Sequence, residues 1–473
     1  MRYNRLYKET DYVPSTDYTG ELARYLVNLK YEDLPDEVVT RAKYILLQTV
    51  GAALAAKGTD IARKADVLAV EANNGLGGSV TRWLEGGKIS PANAALLAGV
   101  LTDALDWEDC SWTGHPSAGI IPVAIIAAEE KGKSGKDLLT AIVGAYEVYQ
   151  RIANAVQPVD HSKGWGLTSW QLFGTVAAAA KLYDLTAEQV ERAIGIAAEA
   201  STIPACYHEA TMSDFYHFEH GYRARDGILI AKQAGLGINN ARCALDDVRP
   251  SGYLASITSA PKIEWLVKDL GTRYLIMETL LKHWPANMWV QSPLEALKDI
   301  TDNHSFEPDD IASIEVDPPV TDRMWLSEDG YTSITHAEFS VPFALAAFLK
   351  NPTPGASWYS KENLKDKEVL KIASKVKGGS QKPIGPGEGF SMFLNGDYPV
   401  RKITVTLKNG EVVSGSSGKH PGHPHNMFTE EEISSRFLIQ AAPSLSEDRA
   451  KDALKVFLNI EDYTASDLVP FLA

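Results

Sequence analysis

Hydrophobic positions in the first half of the chain recur at helical spacing. Behind Pro35, residues Val38, Val39, Ala42, Ile45, Leu46 and Thr49 fall on one side of a helix that a proline is suited to open. Ser90 followed by Pro91 predicts a second start, an N-cap and then proline at the first helical position, leading into ANAALLAGVLTDAL. Apolar, alanine-rich runs follow at Ile120–Glu130, Leu138–Val156, Trp170–Tyr183 and Ala187–Ala200. Their small side chains permit close helix approach, which predicts a compact core of helices buried on several sides. GLGGSVTRWLEGG, residues 75–87, is expected to form a short hairpin.

After about Gly271 the period shortens. Ile311–Asp317 (IASIEVD) alternates like a strand, and Arg401–Gly418 reads as a hairpin in which Asn409-Gly410 supplies a type I′ turn. Helical stretches at Ser340–Lys350 and Lys367–Lys375 lie between them. Thr429 with Glu432 forms a capping box that opens a final helical segment. The expected architecture is mainly α: a large all-helical domain over 1–270, completed by 427–473, and a smaller α/β (α+β) lid domain over 271–426.

Composition removes several classes of function. A hydrophobic content of 45% with 23% charge is that of a folded chain, and its net charge of −15, with no basic run, repels phosphate backbones and argues against nucleic acid. Cys110, Cys206 and Cys243 are an odd, scattered set without CxxC spacing, the usage of a reducing compartment. MRYNRLYKETDYVPS has no apolar core for a secretory signal, and apolar runs such as Gly119–Ala128 are too short for a membrane span. A cytoplasmic protein without a membrane partner is expected. GLGGSV lacks a strand–turn–helix GxGxxG, and GxxxxGK[ST] and GxSxG are absent, which disfavours nucleotide cofactors and a serine elbow. His420, His423 and His425 sit in a Pro/Gly-flanked bridge (KHPGHPHN, 419–426) and read as a solvated loop rather than a metal site.

The segment DALDWEDCSWTGHPSAG (103–119) stands apart. An Ala/Leu helix ends in Asp103, Asp106, Glu108 and Asp109, and acids there oppose the helix dipole, so local helix energetics do not explain them. His115 opens the next helix, where a neighbouring carboxylate can orient it as an acid–base group. Capping plus a solvated loop would suit the same residues, and composition alone does not separate the two.

This segment resembles the HALDxDDT…HPS block of the MmgE/PrpD family. LARYLVNLKYEDLPDEVVTRAKYILLQTVGAALAA is similar to that family's opening helices, and HFEHGYRARDGILIA (217–231) to its HxGxAAxxG helix. LKHWPANMWVQSPLEAL (281–297) resembles its KxYPxCxxxHxxxDA block, and HPGHPHNMFTEEEISSRF (420–437) its closing loop and helix. The resemblance implies a helical domain and an α/β lid with the site in the cleft between them. It also implies a homodimer, no metal, no organic cofactor, and dehydration, decarboxylation or epimerisation of small organic acids. Asp106 and His115 take the positions of the family's Asp and of the His in HPS, one residue closer together, with Cys110 where a Thr is usual. Gly166 stands at the expected second His, Tyr216 at a Lys, Gln291 at a third His and Asn287 at a Cys, while Lys282 keeps its place.

Losing two histidines and a lysine weakens a clamp for polyanions. The same blocks hold Trp107, Trp112, Trp165, Trp170, Trp284 and Trp289, which suits either a less charged, more apolar substrate or simple refilling of space. The expected activity is a cofactor-independent lyase, a dehydratase or decarboxylase, acting on a small organic acid. His115 would shuttle the proton and Asp106 orient it. Lys282 and Arg225 would bind a carboxylate, with Thr168, Asn287 and Gln291 hydrogen-bonding the rest. Cys110, Trp112 and Trp165 would line the site, and His161, His217 or His336 would replace a lost imidazole. Two alternatives stand beside this: an epimerase with His115 and Tyr216 as opposed bases, and a degenerate paralogue that binds without turnover.

Overall fold

A computed structural model describes residues 14–157, 163–204, 213–320, 323–384 and 386–473; His161 and Cys206 lie outside these. The fold is mainly α with a smaller α/β part. Helices Asp36–Ala55, Pro91–Asp103, Pro116–Lys131, Gly135–Val156, Thr168–Leu182 and Ala187–Ala200 form where the apolar runs predict them, and Phe215–Gly235 where the resemblance places a helix. Ser90 occupies the N-cap of the second, though its hydroxyl makes no capping bond. The expected hairpin after residue 75 is a two-residue ladder, Val80–Thr81 against Lys88–Ile89. Among the described residues no helix is long and apolar enough to cross a membrane.

Two helix contacts set up the site. Pro91–Asp103 crosses Phe215–Gly235 where Gly99 meets Gly221; a Cβ on Gly99 would stand 2.9 Å from Gly221 Cα, and one on Gly221 2.5 Å from the Leu96 carbonyl oxygen. Only glycines permit that approach. It brings Asp103, one turn beyond Gly99, beside His217 and His220, in the turn just before Gly221. In Pro116–Lys131, Pro122 has no N–H to offer the Ala118 carbonyl, and the Thr102 hydroxyl donates to that oxygen instead (2.9 Å). The start of this helix is thereby tied to the end of Pro91–Asp103.

The later region holds a four-stranded sheet in the order Val376–Gly378, Ile311–Asp317, Arg401–Leu407, Val412–Ser417, with only the first pair parallel. Helix Met288–Asn303 packs on its last two strands and on helix Val341–Lys350, and Gly415 gives it room, since a Cβ there would come 2.6 Å from the Ala296 carbonyl oxygen. Strict alternation would put Ile311 and Ile314 on opposite faces, yet both are buried. A register shift between Ile311 and Ser313 reconciles them. The hairpin turn differs from the type I′ expectation. Gly410 has a positive φ and Asn409 does not, while the Gly410 N–H donates to the Leu407 carbonyl. This is a three-residue loop, which needs left-handed geometry at one residue only.

The capping box at Thr429 forms as expected, each partner's side chain bonding the other's N–H. Helix Glu430–Ala441 then packs on Asp36–Ala55. The bridge before it is not a solvated loop. His420 and His423 are buried, the Leu281 N–H donates to the Gly422 carbonyl, and burial pushes the His420 imidazole down to about 4.

Candidate active site

The acids of DALDWEDCSWTGHPSAG are not on a solvated loop: Asp103, Asp106, Glu108 and Asp109 are each 0% exposed, and His115 is 6% exposed. Two short features hold them there. Asp106 adopts a positive φ, a conformation Asp tolerates better than most residues, and turns the chain at the helix end. Asp109–Cys110 then pairs antiparallel with Leu280–Leu281, and the Lys282 N–H donates to the Glu108 carbonyl (3.1 Å). That ladder delivers Lys282 from the far half of the chain to the acids. Gln48 and Arg436 both donate to the Lys282 carbonyl and fix the other side of the strand.

His115 caps helix Pro116–Lys131, with Gln171 Nε2 donating to its carbonyl (2.6 Å). Its Nδ1 meets Glu108 Oε1 directly and lies 3.3 Å from Asp103 Oδ1 and 3.5 Å from Asp106 Oδ1. Nε2 is 2.8 Å from the Tyr216 hydroxyl. Lys282 Nζ bonds Asp106 Oδ1 and donates to Glu108 Oε1 (2.9 Å). Glu108 is thus the carboxylate in contact with the imidazole, and Asp106 is the one that seats the lysine.

A second imidazole sits behind. His217 Nδ1 is 2.7 Å from Asp103 Oδ2, and its Nε2 is 3.0 Å from Thr335 Oγ1 and 3.5 Å from Glu338 Oε2. His220 Nδ1 pairs with Gln171 Oε1 at 2.9 Å. Asp109 accepts from the Tyr146 hydroxyl and the Ser117 N–H, which makes it a brace for the next helix.

Electrostatics follow from this packing. Burial and the Lys282 charge push the His115 imidazole down, but Glu108 and Asp103 outweigh them and hold it at about 10. Burial raises the Glu108 carboxyl to about 7 against the pull of Lys282. Burial would raise Asp103 as well, yet its three imidazole neighbours hold it well below the usual carboxylate range. Burial pushes the Tyr216 phenol and the Cys110 thiol up, so both keep their protons. Burial also lowers the His220 imidazole, to about 4, against the pull of Asp103.

Asp103, Asp106, Glu108 and His115 bring four ligand atoms within 4.8 Å of one another, a donor set that suits a divalent cation. Lys282 Nζ already bonds two of those residues, so its ammonium stands where such an ion would be held.

Of the residues expected from sequence, Asp106, His115, Tyr216, His217 and Lys282 converge. Cys110 packs with Leu280 and Tyr398, and the Trp112 ring lies 5.0 Å from that of Trp289, in an aromatic group with Phe393 and Tyr398. Others have separate tasks. Gln291 accepts from the Trp284 N–H and donates to the Trp284 and Ala286 carbonyls, so its amide holds the 284–286 turn. Asn287 caps helix Met288–Asn303, and Thr168 donates to Glu219 (2.6 Å). Arg225 pairs with Asp226 and lies over the Tyr222 ring. His336 packs against Trp325 and Tyr331, and Trp165 bridges to Pro204. Trp107, Trp170 and Trp284 are buried with their indole N–H groups on the His283 carbonyl, the Thr113 carbonyl and Glu295, which is core packing. Sequence reasoning assigned no role to Glu108, Asp103, His220, Thr335 or Glu338. Glu338 does leave a trace, as a lone charge in the apolar run AEFSVPFALAAF.

Residues 20–266 match the MmgE/PrpD N-terminal domain and residues 284–462 the MmgE/PrpD C-terminal domain. The chain is similar to cis-aconitate decarboxylase of Homo sapiens, 24% identical over 458 residues, which is 94% of this chain and 92% of that protein. Against cis-aconitate decarboxylase of Aspergillus terreus it is 24% identical over 482 residues, 96% and 95% of the two chains. Over 250 residues it is 30% identical to the cis-aconitate decarboxylase-like protein oryM of Aspergillus oryzae, 48% of this chain and 50% of that one.

Proposed function

The chain belongs to the MmgE/PrpD family, and from that premise we propose that it is a lyase cleaving a small organic acid, with decarboxylation favoured over dehydration. The observation that carries the proposal is the His115 imidazole, held protonated near neutral pH between Glu108 and Tyr216 with Lys282 alongside. Decarboxylation breaks a C–C bond, releases CO2 and leaves an electron pair on carbon. That carbon needs a proton donor and a nearby positive charge. His115 supplies the proton, directly or through the Tyr216 hydroxyl, Lys282 steadies the developing anion, and water restores the proton afterwards. Glu108 and Asp103 fix the ring and its charge. All of these groups belong to the chain itself, and the lysine takes the place a metal would need, which supports a cofactor-independent mechanism. The names of the relatives favour decarboxylation. As in the resemblance described above, the proposed working form is a homodimer.

An epimerase would need its two bases on opposite faces of one carbon. Tyr216 and His115 are instead hydrogen-bonded neighbours, an arrangement that favours one-sided proton delivery. The test is to incubate a panel of carboxylic acids in heavy water and follow mass change and CO2 release. Turnover with deuterium incorporation is expected, and it should vanish in His115→Ala. Turnover unaffected by that substitution removes His115 from the mechanism, and ligand binding without turnover in either form would favour the degenerate paralogue.

A further inference from the structure

Carboxylates outnumber cations around His115. Asp103, Asp106, Glu108, Asp109 and Glu338 are all fully buried, against one lysine and three imidazoles. Most of the acids are accounted for. Lys282 seats Asp106 and Glu108, His115 takes Glu108, His217 takes Asp103, and Tyr146 with Ser117 takes Asp109. Glu338 is the exception. It ends the short helix Ile334–Glu338, and neither of its oxygens accepts a hydrogen bond from any described residue. The nearest cationic group, His217 Nε2, is 3.5 Å away and already shares a contact with the Thr335 hydroxyl.

A buried carboxylate without donors is costly, and such groups persist where a ligand supplies what the protein withholds. We propose that this site takes an organic acid that also carries a positively charged nitrogen, and that Glu338 receives that nitrogen. The proposal rests on the reading above that the His115 cluster is the active site. Burial, then the charges of Asp106 and Asp103, push the Glu338 carboxyl well up, against the pull of Lys282. An ammonium brings three donors, and Asp106 Oδ2 also lies buried without one from the described residues. A metal ion fits less well. Glu338 has a single imidazole beside it, and the four-atom cage nearby is filled by Lys282. A second carboxylate on the substrate would meet an already acidic wall, whereas an amine there is matched by it.

The experiment is calorimetric titration of the full chain, treated with chelator, using acids that differ only by an amine: succinate against aspartate, glutarate against glutamate, propionate against β-alanine. At least one aminated acid should bind wild type about tenfold or more tightly than its amine-free partner. Glu338→Gln, which keeps shape and removes the carboxylate, should abolish that preference. The proposal is overturned if no aminated acid outbinds its partner in wild type, a comparison that needs no variant. It is equally overturned if the preference survives in Glu338→Gln. Binding is read without turnover, so either failure leaves the lyase reading standing, and that reading fails separately if turnover survives His115→Ala.

Discussion

The Tyr216 hydroxyl stands 2.8 Å from His115 Nε2, on the opposite edge of the ring from Glu108. One phenol and one carboxylate therefore claim the two nitrogens, and the ring has no freedom to turn. Tyr216→Phe keeps the packing against His220 and Phe339 and removes only the hydroxyl. Turnover should fall by about 10²-fold or more, the usual worth of a positioned proton donor, with melting temperature nearly unchanged. Unaltered turnover would remove the phenol from proton delivery.

Glu108 sets the charge of His115. Both groups bind their proton more tightly folded than unfolded, His115 at about 10 and Glu108 at about 7. The imidazole's contribution to stability is therefore complete below about pH 6.5, its unfolded value, and is lost as pH rises through about 10. Glu108→Gln should move the His115 titration down toward neutral pH, readable by NMR of the ring nitrogens. The stability advantage of wild type over the variant should shrink as pH rises toward 10.

Lys282→Ala leaves Asp106 and Glu108 buried without their ammonium, and breaking such a pair costs about 3 to 5 kcal/mol. The same substitution empties the centre of the four-residue cage. Manganese or zinc should then raise the variant's melting temperature and leave wild type unaffected. A metal response in wild type would show that the ammonium does not fill the cage.

Gly221→Ala drives a Cβ to 2.5 Å from the Leu96 carbonyl oxygen. Overpacking of this kind costs about 1 to 3 kcal/mol, visible in chemical denaturation. The helices must part at the crossing that brings Asp103 to His217 and His220, so turnover should fall further than the loss of stability alone accounts for.

The sequence by itself determined the main helices, the three longer strands of the sheet and where titratable side chains concentrate. A period of 3.6 or 2 in hydrophobic residues is local, and so are a capping box and a run of acids before a histidine. Asp106, His115 and Lys282 were legible because their types and spacing survive in linear motifs. What only the tertiary structure decided is who touches whom. Glu108 rather than Asp106 reaches His115 because a left-handed turn at Asp106 and a two-residue ladder, too short to leave a pattern, set the direction of each side chain. In sequence Gln291 suits a ligand-binding amide, yet a buried amide must satisfy its own backbone neighbours first, and this one is fully used. Glu338 lies 223 residues beyond His115 in the chain, and its carboxylate stays open because packing buries it without bringing a donor from the described residues. Burial and partnership are properties of the packed core, and no window of sequence contains them.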